Sequence, residues 1–340
     1  MKIRFFNFAL VLIAVLAVVQ IGALAQTRSR NTAPPASASL MNSLPQSDAV
    51  AQVKMKQLFN EAMPRVLANN PARLAQVNAS LEDFKTRTGL DPRMFDELAV
   101  GVRFTFPGEG ITKVQSVALA KGAYNSTALV TAGSLAASGK YRTEKYKDKT
   151  IYIFTLDENI SVLGVFDFRI GELAVLPLDT NTLALGDPAS VRSVIDATRA
   201  SKRANAELIA LASRDPNAVI GFGANMSQQL VSSVDALGNS PLATDLAKLR
   251  QVYGSVSTTN KDLELFIAAR AINAETANSL SESLNGLKGL GSLFVGRLSG
   301  ARGVVAKSAL TNLTIVATAN ELQIRTAVPS ADVGPLMGGN

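Results

Sequence analysis

The sequence lacks the two side chains that most often perform nucleophilic and metal chemistry in proteins. Histidine and cysteine are both absent from the 340 residues. Ser-His-Asp and Cys-His catalysis, histidine or cysteine zinc sites, disulfides and lipid attachment through a cysteine are therefore excluded. Carboxylate-based hydrolysis, a Ser-Lys pair and metals held by oxygen ligands stay open.

The carboxylates form no defined catalytic pair. Glu82-Asp83 and Asp96-Glu97 are adjacent in the chain, and adjacent side chains point in different directions on a helix. Asp157-Glu158 is expected in a solvated turn between two strands. We assign no catalytic, cofactor-binding or metal-ligating residue from the sequence, and we expect no cofactor.

A glycine motif at residues 221–225 resembles a nucleotide-binding loop only in part. Its sequence, Gly-Phe-Gly-Ala-Asn, lacks the third glycine of a dinucleotide loop and the lysine of a P-loop. We interpret it as a turn between a strand and a helix.

Residues 140–152, which we call the basic ribbon, alternate cations with aromatic rings. Its members are Lys140, Arg142, Lys145, Lys147 and Lys149 with Tyr141, Tyr146 and Tyr152. Such a mixture can bind an anionic polymer or single-stranded nucleic acid. We favour the alternative that it is an exposed hairpin whose lysines keep an edge strand from pairing with neighbours.

Residues 284–310 combine apolar side chains at helical spacing with positive charge and many glycines. The apolar set is Leu284, Leu287, Leu290, Phe294 and Leu298, and the cations are Lys288, Arg297, Arg302 and Lys307. A cationic amphipathic helix can lie on an anionic membrane. We favour one helix, or two broken at the glycines, packed on a sheet, because most apolar helix faces are core faces. Exposure of these leucines would support the membrane interpretation, and burial would exclude it.

Composition predicts a folded chain with a mild basic excess. Hydrophobic residues make up 47% and charged residues 18% of the sequence, and the net charge is +7. An anionic envelope polymer or a lipid suits this charge, although the charge selects neither. The partner is unknown, and we expect no nucleic acid.

The N-terminus has the pattern of an export signal. Met1 to Arg4 is positively charged, Phe5 to Ile21 is apolar, and Ala23-Leu24-Ala25 fits a cleavage site. We expect a signal peptide over residues 1–25, cleaved after Ala25, and a periplasmic or extracellular protein with no membrane span after cleavage. The alternative is a retained anchor. Residues 26–44 are expected to be a disordered linker.

Hydrophobic periodicity predicts an α+β chain. The order of strand, two helices, β segment, helix and β hairpin begins near Asp48 and recurs approximately from Asn217. We predict two related units, 45–200 and 201–335, each a mostly antiparallel sheet with helices on one face. The shared order could also be coincidence, since α+β chains have few arrangements. Within this scheme Ile160–Phe168 is predicted as a strand, and Leu242, Leu246 and Leu249 as one helix.

The pattern resembles uncharacterised exported bacterial proteins with a duplicated α+β domain of unknown function. The matching features are Leu44-Pro45 before Asp48-Ala49-Val50, Gly89-Leu90-Asp91-Pro92, Thr150-Ile151-Tyr152, and Leu183-Ala184-Leu185-Gly186-Asp187 opening a helix. The resemblance implies an envelope location and a duplicated architecture, and it supplies no activity or site residue.

From these observations we expect an exported envelope protein that acts by binding or interaction rather than by catalysis. Two alternatives stay open. One is a periplasmic carrier of a lipid or another apolar ligand, which a continuous apolar cavity would favour. The other is a hydrolase based on carboxylates or a Ser-Lys pair.

Overall fold

The computed structural model describes residues 40–88, 91–108, 111–137, 139–162, 166–200, 203–232 and 241–333. The predicted signal peptide, residues 26–39 of the predicted linker and the Gly89-Leu90 step lie outside the described residues. The α+β class is confirmed, because helices and an antiparallel sheet together make up most of the described chain.

Twelve strands in the described residues form one antiparallel sheet. Its strand order is β11-β12-β10-β9-β8-β1-β2-β3-β7-β6-β5-β4. The strands are β1 Ala49–Val53, β2 Phe95–Gly108, β3 Ile111–Gly122, β4 Tyr141–Tyr146, β5 Lys149–Val162, β6 Phe166–Asp179, β7 Thr182–Gly186, β8 Ile220–Asn225, β9 Leu249–Thr258, β10 Asp262–Ala271, β11 Thr314–Thr318 and β12 Glu321–Pro329.

Helices of very different length connect the strands. They are α1 Met55–Gln57, α2 Met63–Val66, α3 Pro71–Thr88, α4 Ser126–Ala136, α5 Pro188–Ala200, α6 Ala206–Ala212, α7 Gln228–Ser232, α8 Pro241–Leu246, α9 Ala274–Val295, α10 Gly300–Thr311 and α11 Ser330–Val333. A π-helical turn, Leu58–Ala62, joins α1 to α2, and short 3-10 helices span Leu40–Ser43 and Pro92–Met94.

The strand β1 joins the two halves of the sequence. It pairs with β2 on one side and with β8 on the other, so Ala49 lies opposite both Val102 and Ala224. The strands of both predicted units therefore belong to one continuous sheet.

Helices lie on both faces of this sheet, whereas we expected them on one. On β6, Ala174 and Leu176 contact the cluster that contains α5 and α6, while Val175 between them belongs to the α4 cluster. Alternate side chains of a strand point to opposite faces. The α9 and α10 helices lie on the same face of the sheet as α4. Residues that pair directly on neighbouring strands point to the same face, and such pairs lead from Val175 across the sheet to Ile324. Leu322 and Ile324 belong to the cluster that packs with α9.

The end of the predicted linker is part of the core. Leu40–Ser43 forms a 3-10 helix, and Met41 and Leu44 are completely buried against the central strands. The three apolar residues Leu40, Met41 and Leu44 lie on one side of this turn, and burying them outweighs the cost of ordering it.

Three local predictions were wrong. Residues 160–162 end β5 and residues 166–168 begin β6, so Ile160–Phe168 is not one strand. Asp157 and Glu158 lie within β5, beside a pairing irregularity, and not in a turn. Leu249 begins β9 and does not continue α8.

Candidate functional site

The basic ribbon forms a β hairpin at the edge of the sheet, as the favoured interpretation predicted. Its strand β4 is the last in the sheet order, and Lys147 in the turn has a left-handed φ of 55°. Tyr141 stacks on Tyr152, with ring centroids 6.5 Å apart. Two of the three tyrosines thus contact each other, and Tyr146 instead donates a hydrogen bond to Asp196.

Ion pairs attach the ribbon to its neighbours and use two of its five cations. Arg192 on α5 donates two hydrogen bonds of 2.6 Å to Glu144, and this guanidinium lowers the pKa of the Glu144 carboxyl. Arg142 pairs with Glu172 at 3.1 Å, and Lys147 pairs with Asp196. Arg142 therefore attaches the ribbon to β6, and Lys147 attaches it to α5.

The carboxylate pairs noted in the sequence form no shared site. Asp96 and Glu97 lie where the pairing of β2 with β3 is irregular and line the same surface depression, but each has its own partner. Asp96 pairs with Lys56 at 2.6 Å, while Glu97 accepts a hydrogen bond of 2.7 Å from Gln52. Burial raises the pKa of Glu97. Across the described residues, no group of three or more acidic side chains could hold a metal ion.

A separate ionic cluster fastens α3 to the start of β2. Arg93 donates to both Asp91 and Glu82, and Asp91 also caps the 3-10 helix by accepting from the Arg93 amide at 3.0 Å. These hydrogen bonds lower the pKa of Asp91 to about 2. The cluster therefore stabilises a chain junction.

The glycine motif is part of strand β8, which corrects our prediction of a turn. A methyl group at Gly221 would come within 2.0 Å of the Ala212 carbonyl oxygen, and one at Gly223 within 2.8 Å of the Leu208 carbonyl oxygen. Glycine here lets the backbone of α6 approach the sheet closely.

The helices α9 and α10 with their connection, residues 274–311, form what we call the helical hairpin. Its first turns are firmly attached. Ala277 and Leu280 are completely buried against β10 to β12. Ser279 donates a hydrogen bond of 2.6 Å to Asp245, whose other oxygen pairs with Lys248 at 2.8 Å. Lys248 and Ser279 together lower the pKa of Asp245.

The distal half of the helical hairpin exposes its apolar side chains. Leu287, Leu290, Phe294 and Leu298 are 49%, 56%, 62% and 54% exposed, and Val304 on α10 is 49% exposed. We had favoured burial of these residues on the sheet, and that interpretation is wrong for this half. Leu284 does pack toward the sheet.

Helix geometry explains the division. At about 100° per residue, Ala277, Leu280 and Leu284 share one side of α9, Leu290 and Phe294 lie roughly 90° around the helix from the centre of that side, and Leu287 lies between the two. Beyond Leu284, the side facing α10 and β11 carries Lys288, which donates to the Leu313 carbonyl, and Gly291, which lies against Leu310. The remaining apolar stripe consequently faces outward.

The charge around this apolar surface is of one sign. Lys288, Arg297, Arg302 and Lys307 lie between Ser283 and Asn320, a stretch with no aspartate or glutamate. The Arg297 guanidinium lies 5.8 Å from the centre of the Phe294 ring. This lack of acidic residues is the sequence signal that distinguishes the helical hairpin from the basic ribbon, and we did not use it.

Comparison with known proteins adds a similarity in chain path. No family model matches the sequence, and no curated protein does. Crystal forms I, III and IV of TP0453, an exported protein of Treponema, align over 89%, 88% and 89% of this chain and 99%, 98% and 98% of that one. Their TM-scores are 0.45, 0.45 and 0.46 at 10%, 9% and 8% identity. At this identity the similarity concerns the fold alone.

Proposed function

We propose that this is an exported envelope protein that acts without catalysis, by binding the surface of an anionic membrane through the helical hairpin. The observation that supports the proposal is the exposed stripe of Leu287, Leu290, Phe294 and Leu298 in a segment that carries lysine and arginine and no acidic residue. An interfacial helix has this combination of an apolar face with lysine and arginine beside it.

The expected energies are sufficient for peripheral binding. Moving the exposed half of one leucine or phenylalanine into hydrocarbon contributes about 1 kcal/mol, so four side chains contribute about 4 kcal/mol. Each lysine or arginine near an anionic surface adds about 1 kcal/mol. Among the described residues, no helix has the length and hydropathy to cross a bilayer.

Vesicle flotation of the chain beginning at Gln26 tests this proposal. We expect the protein to float with phosphatidylcholine vesicles that contain phosphatidylglycerol, and to float much less with phosphatidylcholine alone or at high salt. The variant Leu290→Ser/Phe294→Ser should bind at least tenfold more weakly. Leu135→Ser, at a leucine on α4 that is 77% exposed, is the control and should bind as the parent does.

Two results would contradict the proposal. One is an equal loss of binding in Leu135→Ser and in the double variant, because the helical hairpin would then have no special part. The other is turnover of an envelope substrate that a single carboxylate or serine substitution abolishes, because the protein would then be an enzyme.

A further inference from the structure

We infer that the groove between α9 and α10 binds one acyl chain of an anionic phospholipid. The inference rests on the proposed membrane role and assigns that site a ligand. The groove is open along one side and has a volume of about 690 Å³. Pockets that hold small ligands have volumes of roughly 300–1,000 Å³.

The groove changes in polarity along its length. Gly291 contacts Leu310, so α10 runs back alongside α9 from the tip at Gly300. Near the base, Asn285, Lys288 and Thr311 line the groove, whereas Val295, Leu298 and Val304 line it near the tip, and Lys307 lies between these two groups on α10. A ligand with a polar head and an apolar tail matches this order.

The length of the groove also suits an acyl chain. From Asn285 to Gly296, α9 rises about 16 Å at 1.5 Å per residue. One leaflet of a bilayer contains about 15 Å of hydrocarbon, half of the ~30 Å core. An extended chain therefore fits along the groove with its headgroup at the base.

The charge at the groove selects an anionic headgroup. Lys288 and Lys307 both line it. The Lys288 ammonium is held in place by its hydrogen bond to the Leu313 carbonyl, and Lys307 is exposed. The segment that forms the groove contains no acidic residue, and Asp332 on α11 accepts a hydrogen bond from Ser308, next to Lys307. A phosphate at the base would thus meet Lys288, while Lys307 lies about one turn nearer the tip than Thr311 on α10.

The groove is open because glycines in its lining have no side chain. A methyl group at Gly289 or Gly296 would meet no atom within 4 Å, and both glycines line the groove. Gly286, one turn before Gly289 on α9, is equally unobstructed but is not among the groove residues. Gly289 and Gly286 therefore supply a matched test, since a substitution at either position replaces one exposed glycine of the helix.

The experiment measures binding of fluorescent lysophosphatidylglycerol, below its micelle concentration, to the chain beginning at Gln26. We expect saturable binding of one lipid per chain. Gly289→Leu should weaken it at least tenfold, and Gly286→Leu should leave it within twofold. Lysophosphatidylcholine should bind more weakly than lysophosphatidylglycerol to the parent, and equally with it to Lys288→Gln/Lys307→Gln.

Non-saturable binding, or the same loss in both glycine variants, would overturn the inference. Vesicle flotation separates the two proposals. Flotation without stoichiometric lysolipid binding would reject the groove site and retain the membrane-surface role. Stoichiometric lysolipid binding without flotation would reject the membrane-surface role.

Discussion

The basic ribbon and the helical hairpin have similar compositions and different surroundings. Both mix cations with large apolar or aromatic side chains. In the ribbon, Glu144, Glu172 and Asp196 pair with nearby cations, and two of the three tyrosine rings contact each other. In the distal helical hairpin, the apolar side chains are exposed and the intervening sequence has no acidic residue. Cations that pair with neighbouring carboxylates, such as Arg142 and Lys147, are thus less available to an anionic partner than those of the helical hairpin.

The largest effect should separate the attached half of α9 from its exposed half. Leu280→Ala removes a completely buried side chain and should lower the free energy of unfolding by about 3 kcal/mol. Leu290→Ala, at a residue that is 56% exposed, should change it by less than about 0.5 kcal/mol. Urea unfolding followed by circular dichroism measures both, and equal losses would show that the whole of α9 is packed.

Charge reversal should distinguish the two basic segments. Arg302→Glu/Lys307→Glu removes two attractions to an anionic surface and adds two repulsions, which should weaken vesicle binding by about 2–4 kcal/mol, or roughly 30-fold or more. Arg142→Glu/Lys147→Glu changes the net charge by the same amount at two ribbon cations that already pair with carboxylates. We expect it to alter binding by no more than about twofold, and a comparable loss would make the ribbon part of the site.

Removing the ribbon's carboxylates should make its cations available. In the Leu290→Ser/Phe294→Ser background, we would add Glu144→Gln, Glu172→Gln and Asp196→Asn. Because Arg192, Arg142 and Lys147 lose their partners, flotation with phosphatidylglycerol vesicles should recover by about tenfold at low salt. Unchanged flotation would mean that charge compensation does not explain the difference between the two segments.

The smallest effect concerns the stability of the ribbon. Glu144→Gln breaks a half-exposed ion pair, which should cost about 0.5 kcal/mol at pH 7. The pKa of Glu144 is lowered in the folded protein from its ordinary 4.5. The pair therefore stabilises the fold above that pH, and its contribution disappears as pH falls through the lowered value. Urea midpoints of the parent and the variant should differ at pH 7 and converge as the pH falls from 4.5 through the lowered pKa.

Element types were predictable where one face of an element is apolar. The helix over 126–136, the hairpin of β11 and β12, and the break between α9 and α10 followed from periodicity and glycine placement. The strand β9 was missed because one face contains Gln251, Ser255 and Ser257, which bond to polar partners such as Asp215 and Arg270. The apolar period of two on its other face consists only of Val252 and Val256 around Gly254, which is a weak strand signal.

The sequence indicates where the candidate site lies, but it does not show whether the apolar side chains there are buried or exposed. The apolar positions of α9 form two stripes, one on the sheet and one exposed, and spacing alone does not assign a stripe to a partner. That assignment depends on Lys288 and Gly291 facing β11 and α10, which is a matter of tertiary packing. The groove depends on the pairing of two helices and has no local signal at all.

The position of β1 constrains the order of events during synthesis. Its partner β8 lies at residues 220–225, so the N-terminal half emerges from the ribosome well before one edge of β1 can be covered. Until then that half presents an unpaired strand edge and a core that still lacks Tyr253 and Ala268. Such an intermediate is prone to pair with other chains. A chaperone that holds the nascent chain until residue 225 and beyond has emerged would therefore raise the yield of folded protein, whatever the stability of the finished sheet.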